Sequence, residues 1–192
     1  MKNVKTIIAF LFCIAIGTGL YAQDNISPER KQAIDSLALE KVRDLSKYIT
    51  LVGNKNTAFS EAQRIIERAT ELFSADAEFG VSTLASPKVK YYKVPVYFER
   101  LSRLNYDRVE IEWYDIHYVS NLEKQPDGTY VGVITIYQKF KGYDKEGDLI
   151  YQDTTKKDIT VYVKQKETQI AGRTVEFWDV LLGDVRVKET TL

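Results

Sequence analysis

The residues best suited to chemistry lie close together in one segment of the chain. Trp113, Asp115 and His117 occupy every second position of a segment in which apolar and polar side chains alternate. Side chains at alternate positions of a β-strand share one face, so these three belong together. A carboxylate beside a histidine can move protons next to a carbonyl or hydroxyl group when an apolar pocket raises the pKa of the base. If this face is turned inward, we expect Asp115 and His117 to be catalytic and Trp113 to shape the pocket.

The same segment also permits a structural interpretation. Alternate residues of a strand stand roughly 6–7 Å apart, so direct contact between Asp115 and His117 does not follow from their spacing. Tyr114, Ile116 and Tyr118 make the opposite face equally apolar. A strand that is apolar on both faces is usually covered on both, which favours a homodimer across the outer face of the sheet. In that case Asp115 and His117 are solvated residues of a sheet surface.

Aromatic side chains are the second group of candidates. The chain has 13 tyrosines, 8 phenylalanines and 2 tryptophans, and among them Trp113, Tyr137 and Trp178 are candidate ligand-binding residues on predicted strands. Such rings can line a pocket for a planar or sugar-like ligand. The alternative is that they form core contacts and cross-strand pairs.

The charge pattern argues against several classes of function. The chain has 27 basic and 27 acidic residues and no long run of one sign, which disfavours nucleic-acid binding because that rests on a basic surface. Lysines and acids interleave between residues 139 and 158, among them Asp153 and Lys157, and this pattern predicts an ordinary solvated surface. With one histidine, one cysteine (Cys13) and no glycine-rich phosphate loop, we expect neither a metal nor a cofactor.

The first segment has the pattern of a signal peptide. Two lysines precede an apolar stretch over residues 7–20, which is short for a membrane span. Ala22 supplies the small residue that cleavage requires, so we expect a signal peptide over 1–22 and a mature domain over 23–192. The expected location is periplasmic or secreted, without a stable membrane span after cleavage. The alternative is an uncleaved N-terminal anchor.

The elements that must position these residues follow from a change in hydrophobic rhythm near residue 105. Before it, three-to-four spacing predicts a helix opened by Ser27-Pro28 and a second helix opened by a capping box over residues 60–63. A short strand follows around Phe79, and residues 86–93 fit either a loop or a strand. Pro95 begins a third, short helix.

After residue 105 the pattern alternates, which predicts four long strands from Arg108 onward. Turn residues stand between them at 125–128, 144–147 and 171–172. Helices followed by a strand meander predict an α+β fold in which N-terminal helices pack on a curved antiparallel β-sheet. The length of 192 residues is that of one domain.

This order of elements resembles the nuclear transport factor 2-like family, also called the cystatin-like α+β cone. Residues 71–79 resemble the family's second helix running into its first strand, 97–104 resemble its third helix, and 177–180 resemble an aromatic late strand. The resemblance extends from about residue 27 to residue 188. It implies a curved sheet, a pocket between sheet and helices, and frequent homodimers through the outer sheet face. Exported members of this kind are found in Gram-negative bacteria.

The resemblance does not select one activity, because the family includes isomerases, dehydratases, ligand-binding domains and protein-interaction modules. Since no convincing catalytic set is present, we favour an exported, non-enzymatic domain that binds a small ligand or a protein partner. One alternative is a proton-transfer enzyme, an isomerase or dehydratase, that uses Asp115 and His117. The other is a structural envelope component that acts through dimerisation.

Overall fold

A computed structural model describes residues 26–118 and 120–192 of the chain. The signal peptide predicted over 1–22, with its cleavage after Ala22, lies outside the described residues and stays a prediction. Within the described residues, three helices pack on a curved, open sheet of seven strands. No helix in these two ranges is both long and apolar enough to cross a membrane.

Helix α1 spans Pro28–Gly53 and covers the sheet. Its start is as predicted, because the Ser27 hydroxyl accepts a hydrogen bond from the backbone N–H of Arg30 at 3.3 Å and Pro28 occupies the first turn. Its buried side chains recur at helical spacing and form one stripe: Ile34, Ala38, Val42, Leu45 and Ile49. This stripe fixes the face that α1 turns toward the core.

Helix α2 spans Phe59–Thr70, and helix α3 spans Val94–Ser102. The predicted capping box over 60–63 is wrong, because the carbonyl of Ala58 already accepts a hydrogen bond from the N–H of Ala62 at 2.9 Å. Ser60 therefore lies inside the first turn, and α2 begins without a side-chain cap. Helix α3 has Pro95 in its first turn, as predicted.

The strands follow in the expected order, and residues 86–93 form one of them. Their bounds are β1 Glu78–Thr83, β2 Ser86–Lys93, β3 Arg108–Tyr118, β4 Glu123–Lys124, β5 Tyr130–Tyr143, β6 Leu149–Ile170 and β7 Arg173–Thr191. The sheet order is β2-β1-β7-β6-β5-β3, with the short β4 paired to β5. All of these pairs are antiparallel except β1 with β7. The predicted α+β fold, helices on a curved and mainly antiparallel sheet, is confirmed.

The three predicted turns are present, and each relies on a residue with positive φ. Gly128, Gly147 and Gly172 have φ of 83°, 88° and 77°, which glycine adopts without the steric penalty of a side chain. The third turn lies at residues 171–172 as predicted, but the strand before it is longer than predicted, because β6 continues to Ile170 instead of ending near residue 163. Residues 164–177 thereby form an exposed two-stranded ribbon beyond the core.

The core is built from alternate residues of the three central strands. On β6 the inward side chains Ile159, Val161 and Val163 are completely buried. They belong to one cluster with the buried stripes of the helices, and each stabilises the fold by about 1.5–3 kcal/mol through burial. Toward the start of β6 the same inward face continues with Asp153, Thr155 and Lys157. The inner surface thus changes from apolar to polar along one strand.

Candidate functional site

A cavity of about 500 Å³ lies between α3, the β1–β2 hairpin and the inner face of β5 and β6. This volume is in the range of small-molecule binding sites. Five aromatic rings stand among the described residues that line it: Tyr92, Tyr97, Tyr106, Phe140 and Tyr151. Aromatic walls bury a large apolar area on contact with a flat molecule. The cavity is the hollow that a sheet curved around helices is expected to leave.

Polar side chains occupy the inner wall of this cavity. Asp153, Thr155 and Lys157 stand at alternate positions of β6 and are 4%, 2% and 3% exposed. Gln138 of β5 lies directly opposite Thr155 and is also buried. The predicted solvated surface over 139–158 is therefore wrong for Asp153 and Lys157, because strand alternation puts both on the same face as the core.

The ammonium of Lys157 is held by an amide. Its Nζ donates a hydrogen bond to Oε1 of Gln138 at 3.1 Å and lies 4.9 Å from the centre of the Phe79 ring. The same oxygen accepts a hydrogen bond from Nε1 of Trp113 at 3.2 Å. Burial lowers the pKa of Lys157 to about 8, and the nearby Asp153 carboxylate acts in the opposite direction. A neutral amine is therefore accessible here near physiological pH.

The carboxyl of Asp153 has a phenol as its partner. The Tyr151 hydroxyl donates to Oδ2 of Asp153 at 2.6 Å and accepts from the backbone N–H of Leu84 at 3.2 Å. Burial raises the pKa of Asp153, while the Tyr151 hydrogen bond and the charge of Lys157 lower it. Burial, followed by the hydrogen bond to Asp153, raises the pKa of Tyr151 to about 12. The phenol is thus a neutral donor, and the carboxyl is a weaker acid than an exposed aspartate.

The aromatic end of the cavity depends on a glycine. The ring of Tyr106 lies where a Cβ atom on residue 142 would stand, so only Gly142 lets the ring rest against β5. From there Tyr106 packs edge-on against Phe140 at 5.6 Å between ring centres, and Phe140 packs edge-on against Tyr151 at 5.8 Å. These three rings form a continuous wall.

The rim of the cavity carries positive charge from α3 and its end. Arg100 and Arg103 both line the cavity and are exposed. The guanidinium of Arg100 stands 4.6 Å above the centre of the Tyr92 ring, a cation–π contact. Glu99 is the rim residue of opposite sign. Two guanidinium groups thus stand at the exposed part of the cavity lining.

Asp115 and His117 lie apart from this cavity. The pairing of β3 with β5 shifts register between Tyr114 and His117, and Asp115 has a positive φ of 49°. This bulge interrupts the alternation that predicts a Trp113–Asp115–His117 row. Nδ1 of His117 lies 2.9 Å from the backbone oxygen and 3.3 Å from Oδ1 of Asp115, and the two side chains are 47% and 61% exposed. A catalytic role for the pair stays a prediction.

The three aromatic candidates do not stand among the described residues that line the cavity. Trp113 is buried behind Gln138. Tyr137 lies on the outer face and stacks on Tyr114 at 5.7 Å, and Trp178 packs edge-on against Tyr130 at 5.8 Å. These contacts are the core and cross-strand pairs of the alternative interpretation. Ligand contact by the three residues, and the homodimer across the outer face, stay predictions.

Sequence reasoning missed Lys157 and Asp153, although a signal was present. Asp153 and Lys157 stand at the same alternate positions of the strand as Ile159, Val161 and Val163, which must face the core. Among residues 26–118 and 120–192, no group of three or more His, Cys, Asp or Glu side chains is placed to hold a metal ion. The group best placed to anchor a ligand is the Lys157 amine.

The comparisons with known proteins find two solved structures with a limited likeness to this chain. No protein-family model matches the chain, and no curated protein sequence matches it at a significant level. One similar solved structure is a candidate scytalone dehydratase from Novosphingobium aromaticivorans DSM 12444, with a TM-score of 0.41 and 12% identity over 84% of this chain and 89% of that chain. Another is a type 2 hexachlorocyclohexane dehydrochlorinase (LinA), with a TM-score of 0.38 and 14% identity over 83% of this chain and 91% of that chain.

The class of protein follows from the chain's own topology. Two helices, a β-hairpin, a third helix and a meander of long strands build an open sheet with the helices on its inner side. This arrangement is the α+β cone that the resemblance to the nuclear transport factor 2-like family implies. Lys157 and Asp153 stand inside the hollow of this cone.

Proposed function

We propose that the chain is a binding domain for a small, largely apolar molecule, held in the cone cavity with an acceptor oxygen against Lys157. The observation that carries this proposal is a cavity of about 500 Å³ with a buried ammonium group on its wall. Such a cavity combines apolar area for affinity with few polar groups for orientation, as ligand sites do. The proposed role is non-enzymatic, because binding of this kind requires no bond to be made or broken.

The apolar part of the ligand is set by the aromatic wall. Phe140 packs edge-on against both Tyr106 and Tyr151, and all three rings line the cavity. Each Å² of apolar surface removed from water contributes about 25 cal/mol. A flat ring system fits this wall better than a flexible chain, because it loses less rotational freedom on binding.

The polar part of the ligand is set by Lys157. An ammonium has three N–H donors, and within the described residues Gln138 accepts from it at 3.1 Å. A buried charge is costly unless its donors are satisfied. A carbonyl or carboxylate oxygen of the ligand would supply a further acceptor, and Arg100 and Arg103 at the rim attract electron-rich molecules. We therefore expect ligands that carry an aromatic ring and a carbonyl or carboxylate group.

Calorimetric titration with naphthoate tests the proposal, since this probe has a flat ring system and one carboxylate. We expect saturable one-site binding to the wild-type chain. Leu104→Trp should weaken it by about tenfold or more, because Leu104 lines the cavity and a larger side chain would fill it. Leu51→Trp is the matched control, since Leu51 is 42% exposed and is not among the described residues that line the cavity. Equal affinity of Leu104→Trp and the wild type, or no binding at all, would contradict the proposal.

A further inference from the structure

We propose that the ligand of this site is an aldehyde or ketone and that the amine of Lys157 captures it as an imine. This inference rests on the proposed function, because it needs a small molecule in the cone cavity. It adds a covalent step and a substrate class to that site. The residue that carries it is the one lysine among the described residues that line the cavity.

The placement of the amine favours addition to a carbonyl carbon. Lys157 enters the cavity from the inner wall and is 3% exposed. Its Nζ is held by the Gln138 hydrogen bond and lies 4.9 Å from the centre of the Phe79 ring, and the side chain lines the cavity. A lysine desolvated in an apolar pocket is the usual form of an amine nucleophile, because the neutral amine is the reactive species. Burial favours that neutral form, in agreement with the lowered pKa of Lys157.

The surroundings suit the carbonyl partner as well. The wall of Tyr106, Phe140 and Tyr151 receives the substituent of the carbonyl carbon. Asp153 lines the same cavity, and its carboxyl is the group we assign to proton transfer between the nitrogen and the carbonyl oxygen. The imine would form on a side chain that is 3% exposed, which limits its contact with bulk water and so opposes hydrolysis.

The step balances without a further reactant. The nitrogen lone pair forms the N–C bond while the C=O π electrons move to oxygen, and proton transfer gives a neutral carbinolamine. The C–O bond then breaks, the nitrogen lone pair forms C=N, and both protons that the amine gives up leave with the oxygen as water. The products are one imine and one water molecule, with no change in overall oxidation state.

Reductive trapping tests this step on the full chain. The chain is incubated with naphthaldehyde and cyanoborohydride, which reduces an imine to a stable amine, and the modified residue is located by peptide mass spectrometry. Because the neutral fraction of an amine grows about tenfold for each unit that its pKa falls, we expect Lys157 to be labelled about tenfold or more faster than any exposed lysine. Naphthoate should compete with this labelling.

Two variants make the result specific. Lys157→Arg keeps a cation in place but cannot form this imine, so it should lose the selective label while circular dichroism shows that it stays folded. Lys156→Met, on the outer face of the same strand, should keep the selective label. Equal labelling of Lys157 and surface lysines, or an unchanged pattern in Lys157→Arg, would overturn the inference.

The failure of the inference is distinguishable from the failure of the proposed function. If naphthoate and naphthaldehyde both bind in calorimetry but no label appears on Lys157, the imine is rejected and the binding domain stands. If neither probe binds and no label appears, both proposals are rejected.

Discussion

Gln138 and Lys157 are joined by a 3.1 Å hydrogen bond between neighbouring strands inside the cone. The same amide oxygen accepts the indole N–H of Trp113 at 3.2 Å, so one atom serves two buried donors. Lys157 lies on the cavity wall and Trp113 behind it. Gln138 therefore positions the amine on which the proposed site depends, and its side chain is the first to test.

Replacing Gln138 by leucine should destabilise the fold. Gln138→Leu removes the acceptor of Lys157 and of Trp113, and a buried donor left without a partner costs about 1–3 kcal/mol. With two donors affected, we expect a loss of about 2–6 kcal/mol in the free energy of unfolding, measured by urea denaturation. Gln152→Leu is the matched control, because Gln152 lies on the outer face of β6 and is only partly buried. A Gln138→Leu variant as stable as the wild type would show that the amide is not needed.

The buried amine should make stability depend on pH in a defined direction. Lys157 has a pKa of about 8 in the folded chain against 10.5 for the free side chain. Between these two values the unfolded chain binds the proton and the folded chain does not, so stability rises with pH. Below pH 8 both states are protonated and the full cost of the buried charge remains. Over this window we expect a gain of roughly 3 kcal/mol.

Lys157→Met isolates this effect, because other groups titrate in both proteins. The difference in unfolding free energy, wild type minus Lys157→Met, should rise between pH 8 and 10.5 and level off above that. Lys156→Met is the control, since it removes a lysine from the outer face of the same strand. A difference that stays flat with pH would mean that the Lys157 charge is not buried in solution.

The helices and the sheet could be predicted from the sequence because their causes are local. Ser27-Pro28 caps and starts α1, and the apolar side chains of α1 recur at helical spacing up to Ile49. The turn at Gly128 needs a positive φ that glycine supplies. The capping box at Ser60 was the exception, because the preceding residues already adopt the helix and the serine comes too late to cap it.

The site was harder to predict because it depends on contacts between residues that are distant in sequence. Asp153 and Lys157 are charged residue types that usually lie on the surface. Only their place at the same alternate positions of β6 as Ile159 indicates that they are buried. The bulge at Asp115 leaves no mark in the alternation of the sequence, since it arises from pairing with β5. Cavity walls come from strands and helices that are distant in sequence, so sequence spacing alone does not assemble them.

Asp115 and His117 should be dispensable for binding in the cavity. Both side chains are about half exposed and are not among the described residues that line the cavity. We expect Asp115→Asn with His117→Asn to change the affinity for naphthoate by less than about twofold, because surface substitutions away from a site have small effects. Calorimetric titration measures it, with Leu104→Trp as the positive control. A large loss of affinity in the double variant would show that these two residues contribute to the binding site.

Export should remove residues 1–22. The apolar stretch over 7–20 and the small Ala22 suit recognition and cleavage by a signal peptidase. We expect the full-length chain, expressed in a Gram-negative host, to be recovered from the periplasm or medium with Gln23 as its first residue. N-terminal sequencing and intact mass measure this. A chain that keeps its first residues and stays with the membrane would support the uncleaved anchor.

The contact between Tyr106 and Gly142 should control the aromatic wall. Gly142→Ala places a Cβ atom where the Tyr106 ring lies, and overpacking of this kind costs about 1–3 kcal/mol. The displaced ring should also weaken naphthoate binding, because Tyr106 lines the cavity.

A double-mutant cycle separates this contact from the effect of alanine on the strand itself. In the Tyr106→Ala background the ring is absent, so Gly142→Ala should be neutral or stabilising by about 0.5–1 kcal/mol, as alanine is relative to glycine inside a strand. Urea denaturation of the four proteins gives the coupling energy. A Gly142→Ala penalty of the same size in both backgrounds would show that Tyr106 does not rest on residue 142, and the wall of the cavity would have to be formed without it.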